Sequence, residues 1–427
     1  MKPTMRLPLT LSPRRVRQLW YAPLLALAMG LMMLRMLVMA QVLDVHAFAE
    51  FSGGILISST FCMIGCLGLQ AMLQREWPVN LVRHQELRGM LRAAQCNVVA
   101  LGCCVVGLVG AAAGISPAGT TPTLLGVGLL HGLSHQFFLV ATAESRSRGE
   151  ALRFARQNLQ RAVVALILSV SAALWTGSAV LALVIDALVT IALSQTFFRS
   201  VLGRSRFGMS AIYLLAVRRL RLVHWTSALT MMFTMVLGFG LFNADRWVAS
   251  DRLDVIGFAH YSFAWIVLSV AQSAQAIINA SVYPLLARRF AQYGRGATFG
   301  VCMRVSVSVM AAGAAALVPL YLMLDYGIHR WYPRYGDAQA LIPIFLGIAV
   351  LRVSDFWSSF LLISGLEARL LKINLYAMVF SLTVWASFVR PWSNEPTTLQ
   401  QVSWLAAFLT VSAYLAAAGV SWRAGRG

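Results

Sequence analysis

Residues 253–261 read LDVIGFAHY and residues 43–51 read LDVHAFAEF. Placing Leu43 on Leu253 also places Asp44 on Asp254, Val45 on Val255, Phe48 on Phe258, Ala49 on Ala259, Phe51 on Tyr261 and Ser52 on Ser262. The offset is half of a 427-residue chain. An echo at that distance is the mark of a duplicated unit, and its context decides which unit.

That context is apolar. Hydrophobic residues make up 59% of the chain and charged ones only 12%, with a mean hydropathy of +0.72. Soluble domains carry about twice as much charge. Apolar runs repeatedly reach about 20 residues, the length at which a helix crosses roughly 30 Å of hydrocarbon. Transmembrane barrels read instead as short alternating strands. The chain therefore reads as an all-α polytopic membrane protein with about twelve transmembrane helices. The predicted spans are 19–42, 51–73, 93–115, 122–142, 158–175, 178–198, 223–242, 257–282, 299–324, 338–366, 371–389 and 400–422. The first run is long, follows Lys2, Arg6, Arg14, Arg15 and Arg17 and lacks a small-residue cleavage pattern, so it reads as a permanent span.

The matched stretches fall between spans 1 and 2 and between spans 7 and 8. Six spans return a chain to its starting side, so the repeat is parallel, about an axis along the membrane normal. Two pseudo-symmetric six-helix lobes follow: residues 1–200 and 223–427, joined by a basic linker at 201–222. The six arginines between 199 and 222 surround an apolar core. That composition suits an interfacial helix on the cytoplasmic leaflet or a loop that enforces topology.

The net charge of +20 is distributed by side. Most Lys and Arg lie in the tails and even-numbered loops, whereas the odd-numbered loops hold five: Arg246, Arg252, Arg330, Arg334 and Arg390. By the positive-inside rule both termini are cytoplasmic. Membrane lipids, not nucleic acid, account for this charge; no nucleic-acid module is visible. The six cysteines show no metal-ligand or redox spacing, and His131 and His135 lack a third ligand, so no metal site is expected.

Arg35, Asp186, Arg304, Arg352 and Asp355 fall inside predicted spans. Each costs roughly 2.5–3.5 kcal/mol at a helix centre on insertion scales, so each calls for a partner or a wet cavity. Arg35 aligns with Asp245 under the repeat, which makes the two a candidate inter-lobe gate. Arg352 and Asp355 stand three residues apart, a spacing that allows local neutralisation. Asp186 has no partner in sequence and is, with Asp355, a candidate for coupling-ion binding; desolvation of a carboxyl favours its protonated form.

FAEFSGG followed by GLGLQAMLQR, and NADRWVASDRLDVIGFAHYSFAW followed by ASVYPLLARRFA, resemble the polysaccharide-export (Wzx-type) flippases of the multidrug/oligosaccharidyl-lipid/polysaccharide exporter superfamily. The resemblance implies a V-shaped pair of bundles moving a polyprenyl-pyrophosphate-linked oligosaccharide across the bacterial inner membrane by alternating access. It implies a cavity lined by spans 1, 2, 7 and 8, with Arg35, Arg352 and Arg304 as the basic candidates for the carrier pyrophosphate. It further implies coupling to a proton or sodium gradient, no cofactor, and a polysaccharide polymerase and chain-length machinery as partners. A drug/cation antiporter of the same superfamily is the alternative. A membrane-embedded polymerase or glycosyltransferase fits less well, because the outer loops are short and no paired carboxylates appear, and the chain reads as a non-enzyme.

Overall fold

A computed structural model describes residues 20–116, 120–202, 208–389 and 397–426; the basic N-terminal tail and residues 203–207 of the linker lie outside the described residues. Twelve helices are long and apolar enough to cross a membrane: Tyr21–Val42, Val45–Ile64, Glu86–Ala112, Pro122–Ser147, Ala151–Thr176 and Ala179–Val201 in the first half, then Trp225–Arg252, Val255–Gln275, Gln292–Trp331, Pro333–Ile363, Glu367–Ser387 and Leu399–Arg426. They are numbered spans 1 to 12 below. No strand occurs among the described residues. In hydrocarbon this is the economical solution, since a helix satisfies its own backbone polar groups.

The repeated Leu-Asp-Val has a local cause. Leu43 and Leu253 end spans 1 and 7 with extended backbone (ψ 151° and 154°). Asp44 and Asp254 then cap the next helices at φ −67°, ψ 170° and φ −66°, ψ 170°. The Asp44 carboxylate accepts from the Ala47 N–H at 2.6 Å, and that of Asp254 from the Gly257 N–H at 2.8 Å. Each satisfies a helix-initial donor that lacks an intrahelical partner. The aromatic and small residues of the repeat (Phe48 and Phe258, Ala49 and Ala259, Phe51 and Tyr261, Ser52 and Ser262) are all buried.

Packing divides the spans into the two expected lobes. In the first, span 1 lies against span 5, span 2 against span 4, and span 6 against spans 4 and 5; in the second, the run of spans 8 and 9 lies against span 10, and span 12 lies against spans 7, 10 and 11. One apolar cluster crosses between them, joining Met39, Phe48 and Phe51 to Phe258, Tyr335 and Phe345. Residues such as Val106, Trp175 and Val318 project outward, as lipid-facing side chains do.

Three expectations shift in detail. Span 2 is not one helix to residue 73: it stops at Ile64, turns through 65–68, and a separate helix runs Leu69–Val82. Gly68 makes that turn at φ +81°, and a Cβ there would sit 1.8 Å from the Ala228 carbonyl oxygen of span 7, so only glycine fits. Span 9 is longer than expected, and span 10 is built from three short pieces, Pro333–Leu341, Ile342–Val353 and Trp357–Ile363. The linker carries a helix over Met209–Arg218, with Tyr213 accepting a hydrogen bond from Asn97 of span 3 at 2.9 Å. Burial pushes the Tyr213 phenol above its ordinary pKa, and the Asn97 bond opposes the shift in part.

Candidate functional site

Each lobe holds a buried charge cluster, and the two use opposite signs at equivalent places. In the first lobe the Arg35 guanidinium of span 1 donates to Asp186 Oδ2 of span 6. The same oxygen lies 2.8 Å from His131 Nε2 of span 4, and His131 Nδ1 lies 2.7 Å from the Ser58 hydroxyl of span 2. With Asp186 ionised, Nε2–H donates to it and Nδ1 accepts from Ser58, which fixes one tautomer. Thr190 donates to the second Asp186 oxygen at 3.4 Å. Arg161 of span 5 closes the cluster: it donates to Thr190 and to His135 Nε2, each at 3.4 Å, and its guanidinium lies 5.0 Å from the Phe138 ring centre.

Burial makes this arrangement consequential. Arg35, His131 and Asp186 are exposed by no more than 3%. A charge withdrawn from water is tolerable only with a partner, and removing one member of such a pair leaves the other uncompensated. Ser58, His131 and Asp186 have the order of a nucleophilic triad, but Ser58 is equally buried, and no acyl substrate reaches it in this conformation.

In the second lobe the acid is on span 7. Asp245 Oδ2 accepts from the Tyr261 hydroxyl at 2.6 Å, and Arg352 and Arg246 act on it electrostatically. Arg352 donates through Nε to Thr410 at 3.3 Å and lies 4.9 Å from the Phe242 ring. Among the described residues neither terminal nitrogen of Arg352 has a hydrogen-bond partner, and neither does Asp245 Oδ1, Arg246 Nε or Arg35 Nε.

The lobes meet at the end carrying residues 43 and 253. Arg246 Nη2 donates to the Ser52 carbonyl at 3.3 Å while the guanidinium covers the Trp265 ring at 4.4 Å. Arg334 donates to the carbonyls of Gln41 at 2.6 Å and Leu43 at 3.3 Å. Tyr335 stacks on Phe263 at 4.5 Å and meets Phe48 edge-on at 5.5 Å, so aromatic faces seal what the arginines tie. Deeper in the bundle, Trp247 donates to Thr60 at 3.2 Å and Ser269 of span 8 donates to the Met33 sulfur of span 1 at 3.1 Å.

Arg35 and Asp245 do not pair with each other in this conformation. The repeat places them on equivalent faces of equivalent helices, and that face points into each helix's own lobe, where each finds a partner. Arg352 and Asp355 do not neutralise one another either. The helix ends at Val353, and the Asp355 carboxylate accepts instead from the Ser358 N–H at 3.2 Å and its hydroxyl at 2.7 Å. Arg304 stands apart from both clusters, exposed on span 9 and donating to the Gly300 carbonyl. Pro284 and most side chains between 276 and 291 lie outside the described residues.

Sequence reasoning missed two cations. Arg161 lies near the start of the predicted span 158–175 without being singled out, and Arg246 counts as loop charge just past the predicted span 223–242, yet the helices of spans 5 and 7 run through both. Among the described residues no His, Cys, Asp or Glu group has the arrangement to hold a metal ion, and all six cysteines are unpaired with one another.

No protein-family model matches the chain, and neither does any curated protein sequence. Solved structures match its fold across almost the whole length. The lipid II flippase MurJ in an inward closed conformation aligns with a TM-score of 0.68 at 9% identity, covering 94% of this chain and 87% of its own. An outward-facing multidrug resistance MATE family transporter of the MOP superfamily aligns at 0.58 and 12% identity, covering 95% and 94%. The eukaryotic MATE transporter AtDTX14 aligns at 0.58 and 10%, covering 97% and 98%. Identities this low establish the shared two-lobe fold alone.

Proposed function

We propose that this chain is a transporter of the bacterial inner membrane, with both termini cytoplasmic, that moves a polyprenyl-pyrophosphate-linked oligosaccharide across the bilayer by alternating access. The observation that carries this reading is the set of unused donors on buried arginines. Arg35, Arg246 and Arg352 are each at most 4% exposed and each keeps at least one guanidinium nitrogen without a partner. Donors held ready in a low-dielectric interior favour an anion, and pyrophosphate offers the oxygen geometry that guanidinium matches best. The seam of Arg246, Arg334 and Tyr335 then acts as the outer gate, closed in this conformation.

Coupling is assigned to the first lobe. A proton arriving on His131 places a second cation against Asp186 and loosens its hold on Arg35, freeing that guanidinium for substrate phosphate. Asp355, whose carboxylate is occupied by Ser358, is the weaker coupling candidate. A polysaccharide polymerase and chain-length machinery are the expected partners, and the chain itself performs no catalysis.

The experiment is reconstitution of the purified chain in liposomes with a fluorescent polyprenyl-pyrophosphate-linked oligosaccharide. Accelerated loss of the inner-leaflet label to an external quencher supports the reading. A second reading, cation or drug antiport, draws on the unused Asp245 Oδ1, a buried acceptor on span 7. Proton-driven movement of a cationic dye without any flipping of the lipid establishes that reading and overturns the first.

A further inference from the structure

The linker helix Met209–Arg218 spends one face on the first lobe and leaves the other open. On the inner face Ile212 and Ala216 are buried. Span 3 holds this face through its own polar side chains: the Gln95 amide donates to the Ala216 carbonyl at 3.4 Å, and the Asn97 amide to the Tyr213 hydroxyl at 2.9 Å. The helix is therefore a part of the first lobe, although in sequence it stands between the two.

At 3.6 residues per turn, Leu214, Val217 and Arg218 fall on the side opposite Ile212 and Ala216. All three are exposed, as are Arg219, Arg221 and Leu222 of the turn that follows. The chain leaves span 6 at Val201 and enters span 7 at Trp225, so this surface lies at the end of the bundle opposite residues 43 and 253. A helix at that level meets lipid headgroups, where leucine and valine reach the acyl boundary and long arginine side chains reach phosphate.

Charge decides which headgroups. No Asp or Glu occurs between Asp186 and Asp245, whereas six arginines do. Zwitterionic lipids offer the same apolar boundary without net charge, while an anionic leaflet draws each basic residue held near its surface. We propose that the face bearing Leu214, Val217, Arg218, Arg219 and Arg221 binds the phosphates of anionic phospholipids in the adjacent leaflet. Through Gln95 and Asn97 it ties the first lobe to the headgroup layer. The site involves no transported substrate, so it goes beyond the transport reading and stands or falls apart from it.

The test uses the full chain in nanodiscs, with bimane on Ser210→Cys, which lies on the exposed face, in a Cys103→Ser background. Bimane emission should move to shorter wavelength when phosphatidylglycerol replaces part of a phosphatidylcholine bilayer. The triple variant Arg218→Gln, Arg219→Gln, Arg221→Gln should lose that shift. The triple variant Arg369→Gln, Lys372→Gln, Arg423→Gln removes the same charge from exposed positions of the second lobe and should keep it. A phosphatidylglycerol with an azide on its headgroup, applied to the unaltered chain, should crosslink within residues 209–222. Equal emission in the two bilayers overturns the proposal, as does a shift that survives loss of the three linker arginines. An equal loss in both triple variants identifies a general field and no site, and also overturns it. So do a shift reproduced by inorganic phosphate in phosphatidylcholine alone, or crosslinks confined to other segments.

Discussion

Arg246 of span 7 donates to the Ser52 carbonyl of span 2 at 3.3 Å, a bond between a side chain of one lobe and the backbone of the other. A hydrogen bond from a charged group contributes about 1.5–3 kcal/mol, and this one lies beside an aromatic face that excludes water. Arg246→Ala should therefore open the 43/253 end. In a background with Cys103 replaced by serine, a cysteine at the fully buried Ala40 should react faster with an impermeant maleimide when Arg246 is absent. Unchanged labelling removes Arg246 from the seam.

Arg35→Ala or Asp186→Ala alone should cost about 3–5 kcal/mol, since each strands a buried charge. The double variant Arg35→Met, Asp186→Leu should recover most of that loss. Thermal unfolding in detergent around the four-member cycle checks it, and strict additivity of the single effects contradicts the pairing.

His131→Gln tests the coupling element. The groups facing His131 are Asp186, Arg35, Arg161, His135 and Ser58. Acidification should shift the spin-label distance between the lobes in the unaltered chain. In His131→Gln the distances should become insensitive to pH, whereas His135→Gln should preserve the response. A pH response that survives His131→Gln places the proton elsewhere.

Gly68→Ala should be the most damaging methyl addition among the described glycines. Its Cβ meets the Ala228 carbonyl oxygen at 1.8 Å, and φ +81° adds about 1 kcal/mol of backbone strain on top of that clash. Gly30→Ala, where nothing lies within 4 Å, should be neutral or slightly stabilising. Melting temperatures of the two variants give the comparison directly.

The span count, the duplication and the buried Arg35 were all legible in the sequence, because length, hydropathy and the cost of an intramembrane charge are properties of single segments. Partners were not. Arg35 meets Asp186 only because span 1 packs against span 5 and brings its inner face to span 6, an adjacency that a 151-residue separation does not reveal. Arg246 escaped notice for a related reason: a helix that extends past the apolar run carries loop-like sequence into the buried bundle, whereas Arg161 lies inside the predicted span 158–175 and simply reads with the basic stretch before it. The Arg352–Asp355 spacing misled, since it presumes a continuous helix and the chain breaks after Val353.

The capped corners at Asp44 and Asp254 bear on how such a machine can move. Only Leu43 and Asp44 separate span 1 from span 2, and only Leu253 and Asp254 separate span 7 from span 8. Each corner has its extended residues fixed by a side-chain cap and its apolar neighbours locked in the shared core. Such elbows transmit torque and do not bend. The four helices at the seam are therefore joined as two stiff forks, whereas at the far ends the chain leaves helical geometry through the positive-φ glycines Gly68 and Gly294.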